Sequence, residues 1–128
     1  MILVDTSVLI EALRRSSPRL QQIFIDHGAA ICGIIRVEVL HGARDEPHFR
    51  RLLASLAIFP QVQTPEAIWD VVGANVYELR KNGLTVPVSD AIIATIAIEN
   101  NVELWTRDSD FTNIQAILPQ LRLFIEPP

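Results

Sequence analysis

The chain has 128 residues, nearly half of them hydrophobic, and a formal net charge of -4. That length fits a single domain spanning 1–128 that buries roughly two-thirds of its unfolded surface around one core. No apolar run approaches the ~18 residues that cross a bilayer, and Asp5 stands where a secretory leader would place a basic and then an apolar segment, so a soluble cytoplasmic protein is expected.

The opening Met1-Ile2-Leu3-Val4 is an uninterrupted apolar run, as expected for a parallel strand buried on both faces, and it ends at Asp5. Thr6 and Ser7 are placed to cap a helix over Val8–Arg15, whose apolar positions Val8, Leu9, Ala12 and Leu13 follow helical spacing. Ser16-Ser17-Pro18 opens a second helix, Arg19–His27, which Gly28 closes. Ala29–Cys32 then reads as a second short buried strand, and Gly33 turns the chain into a helix from Ile34 to about Arg44. The single cysteine, Cys32, excludes a disulfide framework and a cysteine-based zinc site, and is expected as a small buried hydrophobe.

Pro47 sits in the first turn of a helix to about Ala57 that carries Leu52, Leu53 and Leu56 inward. Ile58, Phe59 and Val62 suit a minor or irregular strand. Thr64 and Pro65 cap and open the longest helix, through Arg80, and Asn82-Gly83 stops it. Ser89 is an N-cap, and Asp90 lies in the first turn that follows, where the helix dipole favours negative charge. Ala91 to Ile98 is apolar almost all round, Asn100-Asn101 is a stop, and Val102–Trp105 resumes as a strand. Arg107–Asp110 is a loop, Phe111–Leu118 a short helix or turn, and Leu121–Ile125 a last edge strand. Trp69 and Trp105 are assigned to the core. The alternation predicts an α/β fold with a mainly parallel sheet and helices on both faces.

Four acids stand out by position: Asp5 at the end of the first strand, Glu38 among apolar helix neighbours, Asp90 at a helix start and Asp108 after a strand, with Asp110 beside it. Glu38 is either a buried carboxylate that needs a cation or a partly exposed one beside Arg36 or His41. In a parallel sheet, loops leaving the carboxyl ends of strands line one crevice, so these acids have a place to meet. If the four converge within ~4 to 5 Å, each like-charged pair costs about 3 to 4 kcal/mol at an effective dielectric of ~20, and six pairs cost on the order of 20 kcal/mol. A domain is normally stable by only ~5 to 15 kcal/mol. Such a cluster needs shared protons or divalent cations, and its all-oxygen character selects Mg²⁺ or Mn²⁺, one or two ions, over zinc. Acid-bound metal of this kind supports phosphodiester hydrolysis, with Thr6, Ser7 and Thr106 as adjacent hydroxyls that orient carboxylates or water.

Ten of the eleven basic residues are arginines, whose planar fork suits phosphate. Arg14, Arg15, Arg44 and Arg107 lie nearest the acids in sequence and are candidates for phosphate or partner-protein contacts. A haloacid-dehalogenase-type phosphatase would need an aspartate where Ser7 stands, and a response-regulator receiver a lysine late in the sheet, whereas Lys81 is the only lysine and ends the long helix.

The segments MILVDTSVLIEAL, GIIRVEVLHGAR, SDAIIATIAIENN and WTRDSDF together resemble a PIN-domain ribonuclease of the VapC toxin type, in the family's order and over nearly the whole chain. The resemblance implies a PIN-like three-layer α/β/α sandwich and a metal-binding quartet of Asp5, Glu38, Asp90 and Asp108. Asp110 matches an acid that some members use instead or as well. It also implies metal-dependent cleavage of single-stranded RNA, a homodimer, and inhibition by a VapB-like antitoxin. Many members carry serine or threonine three residues before the helix glutamate; Ile35 here predicts a lost hydroxyl contact to Glu38. The competing expectation is a non-catalytic PIN-like module that holds RNA or a protein.

Overall fold

A computed structural model describes residues 1–128. Three short parallel strands form the sheet: β1 (Ile2–Val4), β2 (Ala29–Ala30) and β3 (Glu103–Trp105), in the order β2-β1-β3. β1 is central, pairing Ile2 with Ala29 on one side and with Glu103 on the other, and all three of its residues are buried. A strand covered on both faces has no use for alternation, which is why Ile2-Leu3-Val4 is apolar throughout.

Seven helices enclose the sheet to give the α/β/α arrangement: α1 (Thr6–Arg14), α2 (Pro18–His27), α3 (Gly33–Leu40), α4 (Glu46–Leu56), α5 (Ile68–Lys81), α6 (Val88–Glu99) and α7 (Asp110–Ile117). α6 buries Ala91, Ile93, Ala94, Thr95, Ile96 and Ala97, packing along α5 and against α3, α7 and β3, so a helix apolar almost all round is what the site requires. Its one buried hydroxyl, Thr95, donates to the Ala91 carbonyl and accepts from Asn75 of α5. Leu3, Leu9, Ile31, Ile35, Leu104, Trp105, Phe111 and Ile114 fill the centre of one 26-residue core.

Several local expectations are corrected. The first helix begins at Thr6 with Asp5 as its N-cap residue, because the Thr6 and Ser7 hydroxyls are turned to carboxylates instead of to the helix end. α6 begins at Val88 after Pro87, so Ser89 lies inside the first turn and is not the cap. The long helix starts at Ile68, after a turn at Glu66-Ala67, leaving Thr64 and Pro65 outside it. Leu121–Ile125 makes only a single bridge, Leu123 to Leu104, and Ile31 makes another to Gln61 in place of a longer second strand. Trp69 is 47% exposed on α5 and does not belong to the core, whereas Trp105 is 1% exposed. In α4 only Leu56 is fully buried; Leu53 faces outward. Gly28 (φ +74°) and Gly83 (φ +84°) end helices in the left-handed region as expected, and Asn101 does the same at φ +53°.

Candidate active site

The carboxyl edge of the sheet gathers the acids. β1 delivers Asp5, whose backbone N–H donates to the Trp105 carbonyl of β3, so the ends of the two strands are tied side by side. Asp5 is only 5% exposed, and its Oδ2 accepts from Thr106 Oγ1 at 2.7 Å and Ser7 Oγ at 3.0 Å. Thr106 Oγ1 in turn accepts from the Asp108 N–H at 3.0 Å, and Ser7 Oγ accepts from the Arg107 N–H at 3.0 Å. Two hydroxyls thus bind the first strand's acid to the loop that follows the third. Asp108 Oδ1 accepts from the Asp110 N–H at 2.9 Å, fixing the loop where it enters α7.

Carboxylate oxygens of Asp90, Asp108 and Asp110 all lie within 4.8 Å of one another. Both loop aspartates therefore face Asp90. The Asp90 carboxyl is pushed up to about 6 by burial and then by the charges of Asp108, Asp5, Asp110 and Glu38, so the other four sequence-selected acids all act on it. Cys32 lies beneath the same charges: its thiol, wholly buried, is raised to about 11, by burial first and with smaller pushes from Glu38 and Asp5.

Glu38 is half-buried on α3, and its Oε1 accepts from Thr6 Oγ1 at 2.9 Å. The hydroxyl contact that Ile35 was expected to forfeit is present after all. It comes from α1, 32 residues away in sequence.

None of the five acids is ion-paired with an arginine or the lysine. Arg107, although next to Asp108, turns away to Glu11 and Glu126. Glu126 also accepts from Arg19 and from Trp105 Nε1 at 2.7 Å, and these partners hold its carboxyl below the usual range although partial burial opposes them. The sequence offered no signal for this network, since its members sit in α1, α2, the third strand and the tail. Arg14, Arg15 and Arg44 are exposed and carry no ion pair.

These features define an α/β domain with an uncompensated acidic cluster at the carboxyl edge of a parallel sheet. The chain belongs to the PIN domain family, whose model matches residues 2–117. It is 31% identical over 130 residues to VapC ribonuclease Mb1587 of Mycobacterium bovis, covering 91% of this chain and 97% of the relative. To ribonuclease VapC1 of Methanocaldococcus jannaschii it is 33% identical over 107 residues, covering 84% and 75% respectively. In three dimensions it is similar to the crystal structure of VapBC2 from Rickettsia felis bound to a DNA fragment from their promoter, with a TM-score of 0.81, 21% identity and coverage of 97% and 98%. It is also similar to a toxin-antitoxin complex from Klebsiella pneumoniae, with a TM-score of 0.74, 24% identity and coverage of 99% and 100%. At these identities the solved structures bear on the fold alone. No helix is long and apolar enough to cross a membrane.

Proposed function

We propose that the chain is a single PIN domain acting as a metal-dependent endoribonuclease, the toxin of a VapBC-type pair. The carrying observation is the convergence of Asp90, Asp108 and Asp110 within 4.8 Å with no arginine or lysine paired to them. A group made of carboxylates alone suits a hard divalent cation, Mg²⁺ or Mn²⁺, and the Asp90 carboxyl, raised by burial first and then by the neighbouring acids, would be relieved by one.

Asp5, Glu38, Asp90, Asp108 and Asp110 are the residues that would hold one or two such ions. Bound there, the metal would supply an acidified water as nucleophile and charge stabilisation for the leaving oxygen of a phosphodiester. The chain's own contribution is orientation. Thr106 and Ser7 both act on Asp5 Oδ2, which leaves Oδ1 for a cation; Thr6 fixes Glu38 Oε1 and leaves Oε2; the Asp110 N–H fixes Asp108 Oδ1 and leaves Oδ2. In each case one oxygen is held by the protein and the other is presented, so little rotamer freedom is lost on binding.

The relatives named VapC ribonuclease support RNA as substrate; a VapB-like antitoxin as partner goes with the toxin reading, and both would be met in the cytoplasm. A homodimer would account for Trp69 and Tyr77, 47% and 69% exposed and two turns apart on α5. The test is cleavage of a mixed single-stranded RNA pool by purified protein with Mg²⁺, Mn²⁺ or EDTA, beside Asp90→Asn. Metal-dependent cutting by the wild type alone is expected. Absence of both cutting and any Mn²⁺-induced rise in melting temperature would leave a non-catalytic binding module as the function.

A further inference from the structure

Beside Glu38 a cleft of about 100 Å³ runs between α1 and the α3–α4 pair, floored by Ile10, Leu13, Val39 and Leu52. It shares Leu13, Arg14, His48 and Leu52 with a second cavity of about 370 Å³, to which Arg44, Arg51 and Ser55 also contribute. Arg14 comes from α1, Arg44 from the α3–α4 turn and Arg51 from α4, so three elements bring arginines to one hollow. No carboxylate lines that cavity, and none of the three is ion-paired, whereas Arg50, the immediate neighbour of Arg51, is bound to Glu46 at 2.8 Å. His48 adds a donor: its Nδ1 accepts from the Arg44 N–H at 3.0 Å, which leaves the ring proton on Nε2.

In a chain of net charge -4, three unpaired arginines in one cavity oppose the overall balance and fit an anion that the rest of the surface repels. Continuity with the first cleft joins this anion site to Glu38, and the apolar floor between them suits sugars and bases more than water. We propose that Arg14, Arg44 and Arg51, with His48, form a phosphate-binding subsite for the single-stranded RNA flanking the scissile bond. This rests on the ribonuclease reading. The acids cut, and this cavity, reached through the cleft beside Glu38, holds the strand.

Salt dependence tests it, since each phosphate contact on a single strand contributes about 0.7 to the slope of log affinity against log salt. Binding of a mixed-sequence single-stranded oligoribonucleotide is measured over a range of NaCl in an Asp90→Asn background, which prevents turnover, with Arg44→Gln/Arg51→Gln added, or Arg50→Gln as control. All three arginines are exposed, so folding is not at stake. The double variant should lower the slope by about 1.4 and the control by much less. Equal slopes in parent and double variant, or no RNA binding by the parent, would overturn the subsite. Loss of affinity for a polyglutamate peptide but not for RNA would also overturn it, in favour of an acidic protein segment. Wild-type cleavage with Mn²⁺, run in parallel, separates the outcomes: cutting with unchanged slopes sinks the subsite alone, and no cutting sinks the nuclease reading.

Discussion

Asp90→Asn should make the metal-free protein more stable while destroying its response to metal. A rise in pKa from 3.8 to about 6 corresponds to about 3 kcal/mol at 1.36 kcal/mol per pH unit. Asp90 is only half-buried, so solvent screening leaves roughly 1 to 2 kcal/mol of that. Because the folded-state pKa lies above the unfolded one, the native state takes up the proton first, and stability falls as pH rises from 3.8 to about 6. At pH 7 the whole penalty is in force, and asparagine removes it. For a domain of this size the gain is about 4 to 8 °C in melting temperature. The assay is calorimetry in EDTA at pH 7 and near pH 4, then again with Mn²⁺. The variant should melt higher than the wild type at pH 7, by a margin that closes near pH 4, and should gain nothing from Mn²⁺. At 100 times its dissociation constant, Mn²⁺ should stabilise the wild type by about 2.7 kcal/mol. A variant that melts at or below the wild type at pH 7 in EDTA would refute the claim that the acids crowd Asp90 without compensation.

The same pKa sets a pH profile: at metal concentrations below saturation, RNA cleavage should decline below about pH 6 as Asp90 protonates, and the decline should move to lower pH as metal is raised. Thr6→Val removes the only protein hydrogen bond to the Glu38 carboxylate, so cleavage or Mn²⁺ affinity should fall by about 10- to 100-fold with little change in fold by circular dichroism. Glu126→Gln removes the anion shared by Arg19 and Arg107 and should lower stability by about 1 to 2 kcal/mol in urea unfolding, since charge-assisted bonds at a part-exposed site are worth that much. An unchanged urea midpoint would mean that Glu11 alone suffices for Arg107.

The order of elements was legible because its signals are local. Apolar runs, helical spacing and the glycines and asparagine that tolerate the left-handed region mark where each element begins or ends, and the acids sit at those junctions: Asp5 after β1, Asp90 in the first turn of α6, Asp108 and Asp110 after β3. The start of α1 moved because the Thr6 and Ser7 hydroxyls have carboxylate partners. Trp69 was misplaced because a large aromatic in a helical stripe looks alike whether the stripe faces the core or the surface.

By itself, then, the sequence determined an α/β chain with acids at the strand and helix ends that share one edge. Only the tertiary structure decided which atoms meet. Asp108 and Asp110 both face Asp90, Thr106 reaches Asp5 across 101 positions, Thr6 supplies the hydroxyl that Ile35 cannot, and Arg107 turns to Glu126 and away from the acids. Periodicity encodes how much of each residue is buried, but partnership between residues distant in the chain follows from how the strands register and the helices pack, and no local pattern carries that information.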